Sequence, residues 1–233
     1  NLDLKSEEGL DAFRLLAANA DVLMEGFRPG VMHRLGLGYD ALRQDNPKLV
    51  YCSVTGYGQD GPLAQEAGHD INYVGLSGAL GAMGPLDGPP ALPLNIIADF
   101  AAGGLYAAYS ILGALLERER SGLGQFLDVA MVDGCLSLMT MHYPDWGKPV
   151  LPSRGKGLLT GEAPFYRCYV CNDGKYLAVG ALEGAFFTNL WRGLNLEQPM
   201  PDHMRPDTWP AMTEQFERLF ASRSRDAWVK HFE

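Results

Sequence analysis

Residues 49–54 are Leu49-Val50-Tyr51-Cys52-Ser53-Val54, a continuous β-prone run that ends at Thr55-Gly56. A strand with one face in water alternates polar and apolar side chains, whereas a strand of a parallel sheet is covered on both faces and lacks that alternation. The run therefore predicts a buried parallel strand. Its surroundings agree, because helical spacing is found over 6–17, a short strand is predicted at 22–25 and a brief helix at 39–44. Helices that alternate with buried strands indicate an α/β fold.

The elements that follow this strand extend the same pattern. The spacing predicts a helix at 70–83, a long helix at 99–120 closed by Ser121-Gly122, a strand at 125–129 and an apolar helix at 130–143. We therefore expect residues 1–150 to form a large α/β domain, in which a parallel sheet carries helices on both faces.

The composition changes after residue 143. Residues 144–161 contain three prolines and four glycines, which is typical of a linker, and we set the linker at 151–160. The runs 165–171 and 175–181 are joined by Asn172-Asp173-Gly174 and predict a β-hairpin, after which helical patterns follow. A smaller α+β domain is expected over 161–233.

Charge and composition exclude several classes of function. The chain has 19 Lys and Arg against 28 Asp and Glu, a formal net charge of −9, so it offers no basic surface to nucleic acid or to an anionic membrane. No unbroken run of 18 apolar residues predicts a membrane span. Its 4 cysteines are too few for a disulfide framework and indicate a reducing compartment. We expect a cytoplasmic protein without nucleic-acid or membrane partners.

A metal or nucleotide site is not favoured by the motifs present. Cys168 and Cys171 form a lone C-x-x-C, but a second pair of metal ligands is missing, so opposite faces of one strand are the simpler interpretation. The motifs G-x-x-x-x-G-K-[ST], G-x-S-x-G and H-E-x-x-H do not occur, which weighs against nucleotide hydrolases, serine hydrolases and zincins. We predict no metal and no separate cofactor.

Three residues near predicted helix starts are candidates for catalysis. His69 and Asp70 stand where a turn enters a helix, and Asp99 heads the helix at 99–120. Each aspartate could serve only as an N-cap, and His69 could be an ordinary loop histidine. Alternatively, N–H groups at the start of the Asp99 helix could hold an enolate oxygen while a histidine and a carboxylate exchange a proton with a carbon acid. Sequence spacing does not show whether these side chains converge.

Several runs of the sequence are distinctive when taken together. They are Glu25-Gly26-Phe27-Arg28-Pro29-Gly30-Val31, Gly56-Tyr57-Gly58-Gln59-Asp60-Gly61-Pro62, Gly68-His69-Asp70-Ile71-Asn72-Tyr73, Asn95-Ile96-Ile97-Ala98-Asp99-Phe100, Ala130-Met131-Val132-Asp133-Gly134 and Gly180-Ala181-Leu182-Glu183. With these runs the chain resembles the family III CoA transferases, also called the CaiB/BaiF type, and the resemblance covers essentially the whole chain. The run that begins at Gly68 more narrowly resembles the α-methylacyl-CoA racemase branch.

The resemblance implies an enzyme of lipid metabolism that inverts the 2-methyl-branched carbon of an acyl-CoA thioester through an enolate. It assigns the acid/base roles to His69 and Asp99, and a hydrogen bond from the histidine to Glu183. In the transferase branch the residue at Asp99 is instead a nucleophile, so a CoA transferase stays open as the alternative. Substrate or CoA binding falls to Arg28, Arg34, Tyr57, Gly58, Gln59, Asp70 and Tyr73, and CoA is part of the substrate rather than a cofactor.

The resemblance also implies an interlocked homodimer. In such a dimer the active site lies between the large domain of one chain and the small domain of the other, so Glu183 would serve the partner's His69. Family members begin with a further strand–helix unit and end with a longer segment, so both domains are expected to be partial here. A truncated, inactive fragment is the third alternative.

Overall fold

The computed structural model describes residues 1–143 and 153–233, which form two compact units. The first unit contains residues 1–81 and 92–143, and the second contains 82–91 and 153–233. The domain boundary predicted at residue 150 and the first part of the linker predicted at 151–160 lie outside the described residues.

The described part of that linker packs within the second unit. The Arg154 guanidinium donates hydrogen bonds to the carbonyl oxygens of Pro85, at 3.0 Å, and Gly88, at 2.5 Å. Residues 82–91 therefore belong to the second unit although they lie in the middle of the sequence of the first. The sequence pattern did not predict this excursion.

The first unit is built on three parallel strands in the order β1 (Val22–Glu25), β2 (Val50–Thr55), β3 (Phe126–Ala130). The run chosen from the sequence is the central strand, and it is buried as predicted. Successive strand residues point to opposite faces. Tyr51 packs in one apolar cluster with Ala17 and Leu42, and Cys52 packs in another with Ala107. Helices thus cover both faces of the sheet, and the predicted α/β class is confirmed.

The helices of residues 1–143 largely follow the predicted pattern. Ser6 caps the first one, because its Oγ accepts a hydrogen bond from the Gly9 N–H at 3.1 Å. The residues 96–105 are π-helical and lead directly into an α-helix that ends at Gly122, whose φ of 75° suits a glycine C-cap. The helices are α1 (Glu7–Ala17), α2 (Val31–Arg34), α3 (Tyr39–Asp45), α4 (Asp70–Leu76), α5 (Ala79–Ala82), the π segment (Ile96–Leu105), α6 (Tyr106–Ser121), α7 (Met131–Leu138) and one 3₁₀ turn (Thr140–His142).

Three predicted helices differ in extent from the observed ones. The helix predicted at 130–143 ends at Leu138, and a 3₁₀ turn follows it. The helix predicted at 70–83 is two helices, since Ser77 Oγ donates to the Val74 carbonyl at 2.9 Å and Gly78 adopts a φ of 83°. A hydroxyl bonded to a preceding carbonyl and a left-handed glycine together end a helix. The helix predicted to begin at Asp99 begins at Ile96 instead, which places Asp99 inside its first turn.

Helix α7 and the π segment approach each other closely at Gly134. A Cβ atom at Gly134 would lie 2.4 Å from the Ala102 carbonyl oxygen, so only glycine fits there without a shift of backbone. Gly103, on the π segment, faces Met131 in the same contact. This packing holds the helix that carries Asp99.

The second unit combines an antiparallel hairpin with helices. Strands β4 (Tyr166–Val170) and β5 (Tyr176–Gly180) are joined through Gly174, whose φ of 73° confirms the predicted turn. Its helices are α8 (Gly184–Gly193), a 3₁₀ turn (Pro206–Thr208), α9 (Trp209–Phe220) and α10 (Arg225–Phe232). The core is mainly aromatic and includes Phe165, Tyr169, Phe187, Trp191, Trp209, Phe216, Phe220 and Trp228.

The lone C-x-x-C is divided between surface and core. Cys168 is exposed and Cys171 is buried. Over residues 1–143 and 153–233, no group of three or more metal-ligating side chains converges.

The continuous helical stretch Ile96–Ser121 is long and apolar enough to cross a membrane by length and composition. It contains no unbroken run of 18 apolar residues, because Asp99, Ser110 and several glycines interrupt it. Large apolar side chains on this stretch are exposed, among them Phe100, Tyr109 and Leu112. Helices of soluble proteins meet the same length and composition test, so the absence of a membrane partner stays a prediction.

The contact at Gly134 gives a stability test with an internal control. We expect Gly134→Ala to lower the free energy of unfolding by about 1–3 kcal/mol, because the added methyl group meets the Ala102 backbone. Gly113 is exposed on helix α6 and nothing lies near its Cβ position, so we expect Gly113→Ala to raise stability by about 0.5–1 kcal/mol. Urea denaturation measures both, and equal effects of the two substitutions would contradict the packing described.

Candidate active site

The loop 56–62 leaves the carboxyl end of β2, where ligands bind in open α/β sheets. Two side chains on neighbouring strands fix it. Thr55 Oγ1 accepts from the Gly58 N–H at 3.1 Å, and Asp128 Oδ2 accepts from the Gln59 N–H at 2.8 Å. Gly58 needs glycine for its φ of 88°. The loop is therefore held in one conformation by β2 and β3.

Gly56, Gly58 and Gly61 also have the G-x-G-x-x-G spacing of dinucleotide-binding loops. In such loops the glycines lead straight into a helix whose N-terminus holds the phosphates. Here the next helix, α4, begins only at Asp70. The structural context of a dinucleotide fingerprint is therefore missing.

Tyr73 links this loop to helix α4. Its buried ring contacts Tyr57 edge-on, with ring centroids 5.0 Å apart. A Cβ atom at Gly56 would lie 2.3 Å from the Tyr73 ring, and one at Gly68 would lie 2.6 Å from it. Burial raises the pKa of Tyr73, and the neighbouring Tyr57 and Asp99 add to the effect. The phenol thus keeps its proton at neutral pH and can donate a hydrogen bond.

His69 is the N-cap of α4 and its side chain is exposed. The backbone N–H of His69 donates to Asn72 Oδ1 at 3.0 Å, and its carbonyl accepts from the Asn72 N–H at 2.8 Å. Asn72 therefore fixes the backbone from which the imidazole projects.

Asp70 caps a different helix from the one it begins. Only 7% of the residue is exposed, and Oδ2 accepts hydrogen bonds from the Ala98 N–H at 2.8 Å and the Asp99 N–H at 3.0 Å. The suggestion that it caps its own helix is thus wrong. The N–H groups of Ala98 and Asp99 are therefore already occupied. The expectation that N–H groups at the start of this helix hold an enolate oxygen is wrong for these two groups.

Asp99 lies in the first turn of the π segment with its side chain toward solvent. The Asn95 amide donates to Asp99 Oδ2 at 3.2 Å. Just before this turn, Leu94 has a φ of 59°, a conformation that is rare for a residue other than glycine. The backbone forms a turn there, just before the helical segment that carries the carboxylate.

His69 and Asp99 line one cleft of about 510 Å³. Sequence spacing could not establish this convergence, and the fold of the first unit produces it. The remaining lining is mostly apolar, from Ile71, Leu92, Pro93, Leu94 and Met131, and its other polar groups are Asp70, Tyr73 and Asn95. The cleft can thus present the exposed side chains of His69 and Asp99 to an apolar ligand.

Two further clefts contain other predicted binding residues. One of about 320 Å³ shares His69 and Tyr73 with the first and adds Arg28 and Tyr57. Another of about 380 Å³ contains Arg28 and Gln59. In the part of the chain that the structure describes, Gln59 Nε2 is buried without a hydrogen-bond partner, so this donor is available to a ligand.

The remaining predicted residues lie elsewhere. Arg34 ends helix α2 and lines none of these three clefts. Glu183 belongs to the second unit, where it is the exposed N-cap of α8. A carboxylate is favourable at a helix N-terminus. Its hydrogen bond to His69 stays a prediction.

Asp128 is the site residue that sequence reasoning missed. Burial raises its pKa, the Gln59 N–H opposes this, and the charges of Asp60 and Asp133 add to it. The available signal was an acidic residue inside the strand Phe126–Ala130, because charged side chains are rare in strands of a parallel sheet.

Comparison with known proteins gives the family of the chain. The family model described as CoA-transferase family III matches residues 1–233. The chain belongs to CoA-transferase family III. Among its relatives, the alpha-methylacyl-CoA racemases of Mus musculus and Homo sapiens are 43% and 42% identical to it over 238 residues. The succinyl-CoA:glutarate CoA-transferase of Homo sapiens is 30% identical over 245 residues.

A solved structure shares the fold of this chain. A CAIB/BAIF family protein from Brucella suis superposes with a TM-score of 0.82 at 31% identity, covering 99% of this chain and 62% of that one. All of this chain aligns with the racemases, but it spans only 61% of their length.

The raised pKa of Asp128 gives a pH-dependent prediction. The folded protein binds a proton at Asp128 more tightly than the unfolded chain does, so this residue lowers stability as pH rises above the ordinary aspartate value of about 3.9. We expect Asp128→Asn to gain stability relative to the wild type between about pH 4 and pH 7. Urea denaturation across this range measures the difference, and a constant difference would contradict the raised pKa.

Proposed function

We propose that this chain carries the active-site groups of an acyl-CoA isomerase that inverts the 2-methyl-branched carbon of a CoA thioester. The observation that supports the proposal most is the convergence of His69 and Asp99 on one apolar cleft. The two racemase relatives at 42–43% identity support the same choice within the family.

In the proposed reaction one of the two residues removes the C2 proton and the electron pair moves into the thioester carbonyl as an enolate. The other residue returns a proton to the opposite face of C2, so atoms and charge balance without an oxidant or a metal. Positioned acid and base groups contribute about 10²–10⁴-fold to such a step. The remainder must come from positioning and from donors to the enolate oxygen.

The apolar lining of the cleft suits the branched acyl group, because Ile71, Leu92 and Met131 would remove it from water. Arg28 and the unpartnered Gln59 amide would bind the polar CoA portion, since guanidinium groups pair well with phosphate. CoA is then bound as part of the substrate.

We also propose that the assembled protein is a homodimer in which Glu183 of one chain hydrogen-bonds His69 of the other. An orienting carboxylate would fix the tautomer of the imidazole and raise its basicity. A structure of the assembled protein in which every Glu183 carboxylate lies beyond hydrogen-bond reach of a His69 ring would contradict this pairing.

A CoA transferase is the second candidate, favoured by relatives such as succinyl-CoA:glutarate CoA-transferase that align with the whole chain. Asp99 would then attack the thioester carbonyl, releasing CoA thiolate and forming an acyl-aspartyl anhydride. His69, beside the same cleft, has no required role in that route.

Exchange of the C2 proton tests the isomerase directly. In the protein encoded by the full reading frame, we expect His69→Ala and Asp99→Asn each to lower inversion of 2-methylacyl-CoA by at least about 10²-fold. Each should slow deuterium uptake from solvent more strongly for one enantiomer, and the two variants should affect opposite enantiomers. Nuclear magnetic resonance of the C2 position measures this uptake.

Matched controls accompany both substitutions. His142→Ala and Asp11→Asn lie outside the clefts described and should leave exchange unchanged. Near wild-type exchange from both enantiomers in His69→Ala would refute the assignment. Loss of activity during incubation with acyl-CoA and hydroxylamine would favour the transferase, because hydroxylamine traps an acyl-aspartyl group. Absence of acetyl-CoA binding by the folded protein, measured by titration calorimetry, would favour an inactive fragment.

A further inference from the structure

Asp70 connects the two candidate acid/base residues through the backbone. It follows His69 by one peptide bond, so the two Cα atoms are about 3.8 Å apart. At its other end, the Asp70 carboxylate accepts the N–H of Asp99 itself, at 3.0 Å, and that of Ala98, at 2.8 Å. One short side chain therefore spans the distance between the backbone at His69 and the backbone at Asp99.

The carboxylate is held by helix N–H groups and not by a cation. It is buried among α4, the π segment and α7, where its charge adds to the effect of burial in raising the pKa of Cys135 to about 11. Among residues 1–143 and 153–233, no lysine, arginine or histidine forms an ion pair with it. A charged acceptor matches the positive end of a helix, and such hydrogen bonds are about twice as strong as neutral ones.

We propose that Asp70 is a positioning residue that sets the separation between His69 and Asp99. This inference rests on the proposed isomerase function and replaces the direct substrate contact expected for Asp70 from the family resemblance. Oδ2 of Asp70 is shared by two backbone donors, which ties this side chain to the backbone of Ala98 and Asp99. The side chains of His69 and Asp99 are exposed and lack comparable packing of their own. The Asp70 contact therefore fixes the distance between the backbone positions from which these two side chains project.

A graded series of substitutions tests the proposal by kinetics. Asp70→Asn keeps an oxygen acceptor but loses the charge, whereas Asp70→Ala loses the acceptor. We expect kcat to fall in the order Asp, Asn, Ala, reaching about 10²-fold for Ala, because displacing a catalytic group by about 1 Å has an effect of that size. KM should change by less than about twofold, since substrate contacts are retained. Asp11→Asn, an exposed loss of the same charge, is the matched control.

Amide hydrogen exchange provides a readout that needs no turnover. We expect peptides that contain Ala98 and Asp99 to exchange faster in Asp70→Ala than in the wild type, with Asp70→Asn between them. Peptides from β2 should keep their wild-type rates, which shows that the first unit stays folded. Circular dichroism monitors folding of all variants under the assay conditions.

Each result either supports or overturns the positioning role of Asp70. A rise in KM at constant kcat would overturn the positioning role in favour of substrate contact. Unchanged exchange at Ala98 and Asp99 in a folded Asp70→Ala variant would overturn it as well, because the contact would not hold the helix start. If the wild-type protein does not exchange the C2 proton, the proposed isomerase fails. The amide exchange series then still determines whether Asp70 holds Asp99 in place.

Discussion

Burial of β2 on both faces is the constraint on which the first unit depends. Tyr51 packs against α1 and α3 on one face, and Cys52 packs against α6 on the other. A strand fixed from both sides has one register with its neighbours, because a shift by one residue would exchange its two faces. Its carboxyl end at Thr55 then has a single position, and the loop that follows begins from a rigid support.

Two carboxylates, those of Asp70 and Asp128, extend this rigidity into the site. Asp70 receives two N–H groups of the π segment, and Asp128 receives the Gln59 N–H of the loop. Backbone donors hold their partner at a defined point along the chain, whereas a long cationic side chain could follow a displaced carboxylate. Both contacts join segments far apart in sequence, so they secure the tertiary arrangement of the clefts and not only the local turns.

Features that depend on contacts between residues close in sequence could be predicted, whereas features that depend on contacts between distant residues could not. The β2 run, the Ser6 cap and the turn at Gly174 depend on neighbouring residues, and the structure agrees with each prediction. The early start of the helix at Ile96 depends on the Asp70 carboxylate, 28 residues from Ala98, and no local pattern contains it. Likewise, the family resemblance named His69 and Asp99, but only the packing of α4 against the π segment brings them to one cleft.

Tyr73 has a consequence for how this site can change over generations. Its ring fills the volume that side chains at Gly56 and Gly68 would need. A side chain gained at either glycine is harmful while the ring is present, and a smaller residue in place of the ring leaves a cavity that costs about 3–5 kcal/mol. Each single substitution therefore lowers stability, so we expect these three positions to change together and not one at a time. Diversification of the cleft that contains His69 and Asp99 is then expected to proceed through Leu92 and Leu94, whose side chains are exposed.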